Sequence, residues 1–553
     1  MAVGKAVVRP LAASVGLLAL LLAGFAGSGA AAPGPGAPDL EGLAKRLTAP
    51  ATQAAAIAAL SEISDPAVEG LLRALKDGAL YRLKDRVAVL GDDGTLKDLG
   101  GQPILDAKGQ PLAPAEGQEA VTLDEKQFSA VQRLLERLEI FGSDPATRRS
   151  AAFKLGSAPN AMAIPALEKA LARETNADVK TIMEESLAKL RLASPDPAAR
   201  AAAAGTLGRL RSEAALGQLQ AALQQETDPA VKQALTGAVR SIDTFLVIRN
   251  VIGYVFNGVS LGAVLLIMSL GLAVTFGLMG IINMAHGEML MLGSYTAYVV
   301  QEVFTARFAA HQDYYFLVAL PLSFVVAGLV GLALEGGIIR FLYGRPLETL
   351  IVTWGVGMIL QQSARLYFGD QTSVNSPTWF RGGLEVMRGL IFPWSRMFIV
   401  LLALGALGVL YLLLNKSYAG LRVRAVMQNR DMASCLGVST RRIDSLTFAL
   451  GTALAGIAGC ALALIGTVDP EVGKTYIVDA FMVVVLGGVG KLLGAVVASF
   501  GIGVSNKLLE PAISGTAAPI YAKVAILVLV IWFLQWRPTG FFPAKGRAAA
   551  EAR

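Results

Sequence analysis

The chain has 553 residues, 54% of them hydrophobic and only 16% charged, with a mean hydropathy of +0.54; this excludes an ordinary water-soluble enzyme and indicates a membrane protein. Its net charge of +7 is unevenly divided: residues 245–553 hold 22 Lys/Arg against 14 Asp/Glu, whereas residues 1–244 hold 27 against 28. The basic excess therefore lies in the apolar half, where it marks cytoplasmic loops and not a nucleic-acid surface.

At the amino terminus, Lys5 and Arg9 precede the apolar run "LAASVGLLALLLAGFAG", which ends in "SGAAA" and the Pro/Gly-rich "PGPGAP". Charge, short apolar core and small-residue exit in that order predict a signal peptide over residues 1–32, with an uncleaved anchor helix as the alternative. Either way, residues 33–244 are expected outside the cytoplasm.

From residue 144 the chain repeats at an offset of 52. "DPATRRSAAFKLG" (144–156) aligns without a gap on "DPAARAAAAGTLG" (196–208), and "ETNADVK" (174–180) on "ETDPAVK" (226–232). Leu167 and Leu171 match Leu219 and Leu223, one helical turn apart and so on one face. Two amphipathic helices per unit, stacked on their neighbours, predict an α-solenoid resembling HEAT-type repeats over 33–244. "PATQAAAIAALSEISDPAVEGLLRAL" (50–75) reads as a degenerate capping unit. Between these lies a non-helical insertion near 87–118, rich in Gly, Asp and Pro, whose "DDG" turn suggests a hairpin or an ordered excursion. It contains neither His nor Cys, so no metal-ligand cluster is expected. The solenoid offers either a surface for a partner or a plain spacer.

Residues 245–553 form the transmembrane part. Spans are predicted at 257–279, 283–303, 315–339, 349–367, 397–414, 445–467 and 519–536, with a Gly-rich apolar block at 477–504. Arg340, Arg345 and the loop 415–444, with Lys416, Arg422, Arg424, Arg430, Arg441 and Arg442, should be cytoplasmic, as should the tail carrying Arg537, Lys545, Arg547 and Arg553. An external amino domain with a cytoplasmic tail requires an odd number of crossings. The block 477–504 is therefore better read as two short passes turning near Lys491, for nine crossings, than as one pass giving eight.

Ionisable residues at membrane depth cost about 2.5–3.5 kcal/mol at a helix centre and normally face a bundle interior or a wet cavity. Asn283, His286 and Glu288 in "GLMGIINMAHGEMLMLGSY" admit two readings: a helix cap with an acid in the first turn, or a discontinuous helix lining a solute path. Asp479 either lines a vestibule or sits at the interface. Thr353 and Gln361 are hydrogen-bonding candidates for a small polar solute, or for a neighbouring helix. No enzyme site emerges: Val468 stands where the first glycine of a phosphate loop belongs in "VDPEVGKT", and Leu492 replaces the Ser/Thr in "GGVGKLL". No cofactor or metal is expected, and any ATP must be bound by another chain. The loop predicts a short helix around Met432–Leu436, a break at Gly437 and a restart after Ser439.

"NGVSLGAVLLIMSLGLAVTFGLMGIINMAHGEMLMLGSY", "QNRDMASCLGVSTRRIDSLTFALGTALAGIAG" and "FMVVVLGGVGKLLGA" together resemble the permease subunits of branched-chain amino acid ABC importers, across about residues 251–540. The long helical extension ahead of them resembles a narrower group, the urea ABC transporter permeases. The resemblance implies a bacterial inner-membrane importer for urea with two ATPase subunits, a second permease subunit and a periplasmic solute-binding protein. It implies a coupling role for the 415–444 loop, with Ala433, Leu436, Gly437 and Val438 as contact candidates. The alternatives are branched-chain amino acid import, or a membrane-anchored receptor or scaffold. The fold expected is all-α: a polytopic helix bundle preceded by an exported repeat domain.

Overall fold

The computed structural model describes residues 40–60, 66–83, 86–91, 94–98, 102–105, 111–112, 120–157, 161–513 and 515–542. The predicted signal peptide and the basic residues Lys545, Arg547 and Arg553 lie outside the described residues. The chain divides into two compact units, Met1–Thr244 and Phe245–Arg553.

The first unit starts with helices α1 (Leu40–Leu47), α2 (Pro50–Leu60) and α3 (Pro66–Lys76), followed by short antiparallel strands β1 (Leu80–Arg82), β2 (Val87–Leu90) and β3 (Leu96–Lys97). The non-helical region thus begins at Leu80, seven residues before the sequence placed it, because the Gly78 turn at φ +66° ends α3. Helix α4 (Glu125–Leu138) opens on a capping box, in which Asp124 and Gln127 each satisfy the other's backbone N–H. Five further helices follow: α5 (Pro145–Ser157), α6 (Ile164–Arg173), α7 (Ala177–Arg191), α8 (Pro197–Leu210) and α9 (Leu216–Gln225). Leu167, Val179, Met183 and Leu187 are buried together against Ala151 and Leu155, so the apolar face read from the sequence is the packed one.

The offset of 52 is also a repeat of contacts. Arg148 donates to both carboxylate oxygens of Glu174, at 2.7 and 3.0 Å, and to the carbonyls of Gly142 and Ser143. Arg200 does the same with Glu226, at 2.8 and 2.9 Å, and with the carbonyls of Ser194 and Pro195. In each copy a bidentate guanidinium staples the turn before one helix to the turn before another, a geometry that lysine cannot supply. The guanidinium and adjacent backbone N–H groups hold the Glu174 and Glu226 carboxyls well down, at about 2. A Cβ on Gly156 would lie 2.4 Å from Ser186 Cβ, and one on Gly208 would lie 2.9 Å from Ala238 Cα, the same crossing 52 residues on.

Helix α10 (Pro229–Met279) begins in the first unit and ends in the second, which also holds α11 (His286–Arg307), α12 (Tyr315–Gly337), α13 (Pro346–Phe368), a hairpin of β4 (Gly383–Met387) and β5 (Leu390–Pro393), α14 (Trp394–Lys416), α15 (Tyr418–Gln428), α16 (Arg430–Cys435), α17 (Thr440–Leu462), α18 (Val472–Gly487), α19 (Leu492–Leu509) and α20 (Ala518–Trp536). Helix α10 continues through residue 244, where the composition changes, since nothing in "AVRSIDTFLVIRN" breaks a helix. The all-α expectation missed the β4–β5 hairpin, whose turn carries Gly389 at φ +77°.

Among the described residues, six helices are long and apolar enough to cross a membrane: α10, α12, α14, α17, α19 and α20. This is fewer than the nine crossings expected. Helices α11 and α13 carry Glu288, Gln301, Glu302, Gln361, Gln362 and Arg365, and α18 has only 16 residues, about 24 Å at 1.5 Å per residue. The block 477–504 does divide, at Gly488 (φ +95°) through Lys491.

Because lipid tails are as apolar as leucine, helices in a bilayer associate through close packing more than through burial. Helix α17 shows how. A Cβ on Gly459 would lie 1.8 Å from the Leu290 carbonyl of α11, and one on Gly293 of α11 would lie 2.0 Å from the Gly456 carbonyl of α17. Thr452 abuts Gly331 of α12, and Gly451 abuts Gly271 of α10. Leu401, Val409 and Leu412 of α14 and Val524, Val528 and Trp532 of α20 point outward, apolar and exposed, as a lipid-facing surface requires.

Candidate functional site

Helix α10 ends at Met279, with Gly280 at φ +67° turning the chain into an irregular segment before α11 begins at His286. The side chain of Asn283 accepts from the Ala285 N–H at 3.0 Å, forming an Asx turn within this break. Ala285 holds the cap position of α11 and has no side-chain cap bond, so the reading of Asn283 as the helix cap is corrected: an Asx turn uses the same oxygen one step earlier. Thr353 of α13 receives the Met284 N–H at 3.1 Å and donates to the Thr349 carbonyl at 2.7 Å, docking the break onto α13.

From this turn the polar side chains fan out between helices. His286 is fully buried, with Nε2 at 3.1 Å from the Met268 carbonyl of α10 and its Cε1 against Gly271. Glu288 is buried against Gly357 of α13 and Gly473 of α18; a Cβ on either glycine would lie 3.3 Å from Glu288 Cγ and 2.9 Å from Glu288 Oε2 respectively. Gln361, one turn beyond Gly357 and two beyond Thr353, shares that face of α13 and is also buried. The structure therefore brings Asn283, His286, Glu288 and Thr353 to one junction, and sets Gln361 next along the same helix face.

Several buried polar atoms here have no hydrogen-bond partner among the described residues: Asn283 Nδ2, His286 Nδ1, Glu288 Oε2 and Gln361 Nε2. Unpaired buried polar groups cost roughly 1–3 kcal/mol each, and a fold retains them where something else uses them. They are the amide donors of Asn283 and Gln361, the Nδ1 of His286, which accepts when Nε2–H donates to the Met268 carbonyl, and one carboxylate oxygen.

Asp479 has a different setting. Its Oδ2 lies 3.0 Å from Nζ of Lys523 in α20, and Lys523 also donates to the Thr475 carbonyl at 3.2 Å. It is the buried half of a pair, with a half-buried lysine, that fastens α18 to α20. The lysine in "APIYAKVAILVLV" was the overlooked sequence signal, a cation inside an apolar run. Arg365 makes a comparable link from α13, to Glu471 at 2.8 Å and Asp370 at 3.1 Å.

At the other loop, α16 is capped by Asn429, which accepts from the Met432 N–H at 2.9 Å. Gly437 at φ +82° ends the turn, and Ser439 precedes α17. Ala433 is buried and anchors α16, whereas Leu436 is 77% exposed, with Met432 exposed beside it. Of the contact candidates, then, Ala433 does not present a surface and Leu436 does. Among the described residues, no group of three or more His, Cys, Asp and Glu side chains is placed to hold a metal ion.

The family model described as "Branched-chain amino acid transport system / permease component" matches residues 254–534. The chain is similar to the high-affinity branched-chain amino acid transport system permease protein LivH of Salmonella typhimurium, 30% identical over 313 residues, 54% of this chain and 96% of that protein. It is similar to the permease protein BraD of the corresponding Pseudomonas aeruginosa system, 29% identical over 301 residues, 53% of this chain and 95% of the relative. A probable LivH of Methanocaldococcus jannaschii is 28% identical over 294 residues, 50% of this chain and 87% of its own length. No solved structure matches the chain.

Proposed function

The chain belongs to the family of branched-chain amino acid transport permease components, and from that premise we propose that it is the permease subunit of an ATP-driven importer, carrying a branched-chain amino acid or a solute of similar size. The observation that carries the solute path is the set of unpartnered buried atoms on Asn283, His286, Glu288 and Gln361 around a broken helix. Broken helices at membrane depth expose backbone and side-chain partners that can replace a solute's water. Glu288 suits an ammonium group, and the neutral donors suit a carboxylate or a carbonyl oxygen.

ATP is bound by separate subunits docking on α16, where Leu436 and Met432 are exposed and Gly437 and Val438 form the exit turn. A second permease subunit and an external solute-binding protein complete the importer in a bacterial inner membrane. The basic 415–444 loop faces the cytoplasm by its charge, with the first unit outside. Nucleotide and solute each shift the permease between inward- and outward-facing states only as far as their affinities for the two states differ.

A second reading rests on one observation. The Salmonella alignment uses 96% of that relative and only 54% of this chain, so the amino-terminal repeats have no counterpart there. A repeat-bearing extension of this kind favours urea as solute. Initial uptake of labelled leucine and labelled urea, in a urease-free host with and without this gene, separates the two. Loss of leucine uptake supports the first reading, loss of urea uptake alone supports the second, and no change in either sinks the importer.

A further inference from the structure

We propose that the Arg430–Asp444 ion pair, backed by Tyr343, Glu335 and Ser445, is a clamp that makes the short helix α16 move as one body with α17, and so passes motion at the loop to the turn carrying His286 and Glu288. The proposal rests on the importer reading and adds positioning residues to it.

Arg430, the first residue of α16, pairs with Asp444 in the second turn of α17; the aspartate side chain is 4% exposed and the arginine 45%. The guanidinium lies over the Tyr343 ring at 5.1 Å. The Tyr343 hydroxyl donates to Glu335 Oε1 at 2.9 Å, and Ser445 Oγ donates to Glu335 Oε2 at 2.5 Å. Glu335 is 1% exposed and belongs to α12. One network thus fastens the end of α12, the segment after it, α16 and the start of α17.

A buried aspartate is retained only if its partner stays. Removing the arginine leaves an uncompensated charge, whereas the pair itself contributes little net stability. Such a pair is better suited to fixing geometry than to holding the fold. Beyond Asp444, α17 cannot slide alone. Gly459 rests on the Leu290 carbonyl and Gly456 on Gly293, both in α11, whose first turn holds His286 and Glu288. The covalent link from α16 to α17 is the turn at Gly437, which has φ +82° and nothing packed where its Cβ would be, so beside the buried Ala433 the clamp is the polar tie between the two helices.

The chain supplies its own reporter. Of its two cysteines, Cys435 is exposed on α16 and Cys460 is buried in α17, so a maleimide spin label on the purified full-length protein reads α16 mobility. Arg430→Gln and Asp444→Asn should narrow the label's spectrum, and the exchanged pair Arg430→Asp with Asp444→Arg should restore the wild-type line shape. In cells, the single variants should lower maximal uptake about tenfold with half-saturation within about twofold, and the exchange should return uptake to within about threefold of wild type. Should either single variant prove poorly folded, Tyr343→Phe keeps the test alive, with a smaller loss of uptake and a partly mobile label. Unchanged spectra in folded variants overturn the clamp, as does full uptake in them. If the wild-type gene supports uptake of neither leucine nor urea, the importer reading fails and takes the clamp's role with it; wild-type uptake with unaffected variants removes the clamp alone.

Discussion

The two units handle polar side chains in opposite ways. In the repeat unit, Arg148 and Arg200 are each saturated by a carboxylate and two carbonyls, and Asn176, Asp196 and Asp228 cap the helices that follow them. Among the described residues, the buried side-chain atoms that lack hydrogen-bond partners, such as Asn283 Nδ2, Glu288 Oε2 and Gln361 Nε2, all belong to the membrane unit. In the first unit bidentate pairs staple the turns; in the second, close backbone approach at glycines works beside polar links such as Arg365–Glu471 and Lys523–Asp479, and a few buried polar atoms stay unpaired. The lesson is that an unpaired polar atom is informative only against a neighbouring region that pairs its own.

The largest expected effect tests whether glycine packing carries the membrane unit. Gly459→Leu places a branched side chain where even a Cβ would sit 1.8 Å from the Leu290 carbonyl. Overpacking costs about 1–3 kcal/mol where neighbours can yield, and backbone cannot, so the loss should lie at the upper end of that range or beyond. Thermal unfolding of the full chain in detergent, followed by size-exclusion fluorescence, should show little or no folded protein; a wild-type profile would break the comparison.

Next comes Glu288. Glu288→Gln keeps the shape between Gly357 and Gly473 and removes the negative charge, so protein abundance should hold. Uptake of labelled leucine should fall about tenfold, the scale of one lost charged hydrogen bond. If Glu288 were merely structural, abundance and uptake would fall together. If uptake of urea alone survives in the variant, the second solute reading gains.

How much of this was legible in sequence follows the same division. The offset of 52 exposed the repeat, and it carried the clamp too, because Arg148 aligns with Arg200 and Glu174 with Glu226 in the two quoted pairs of segments. Sequence could align those residues without revealing that they meet, since they stand 26 positions apart and the chain between them folds back through a helix. In the membrane unit, the "NMAHGE" turn was visible because polar residues stand out against apolar ones. Asp444 and Arg430 were counted only as loop charges, and Glu335 was not singled out although it is an acid in "GLALEGG", because their pairing depends on how three segments converge. Six described helices are long and apolar enough to span, against nine crossings expected, because polar residues set α11 and α13 apart and α18 has only 16 residues.

A moderate effect is expected from the repeat clamps. Arg148→Ala removes two hydrogen bonds to Glu174 and two to the Gly142 and Ser143 carbonyls, and should cost about 1–3 kcal/mol. It should appear as faster amide exchange across α5–α7 with the membrane unit unaffected. Acid should do the same more gently. Glu174 and Glu226 titrate near 2 when folded and near 4.5 otherwise, so their contribution is complete above about pH 5 and fades as pH falls from 4.5 toward 2. Exchange that accelerates in the repeats between pH 5 and 3 in wild type, and less in Arg148→Ala, would confirm that the clamp is the cause.

The smallest effect distinguishes the two kinds of glycine within one helix. Gly205 and Gly208 both lie in α8, three residues apart. Around Gly205 nothing stands within 4 Å of a Cβ, and the aligned position in the preceding copy holds Phe153, 55% exposed. Gly205→Ala therefore gains helix propensity and meets no neighbour, and should stabilise the repeats by about 0.5–1 kcal/mol. Gly208→Ala gains the same propensity but meets the backbone of Ala238 at 2.9 Å, so the helix crossing must open and the sign should reverse. Amide exchange in α8 and α9, slowed in the first variant and accelerated in the second, would show that close backbone approach holds this repeat as it holds α17. Two stabilising outcomes would confine glycine packing to the membrane unit and make the contrast between the two halves sharper still.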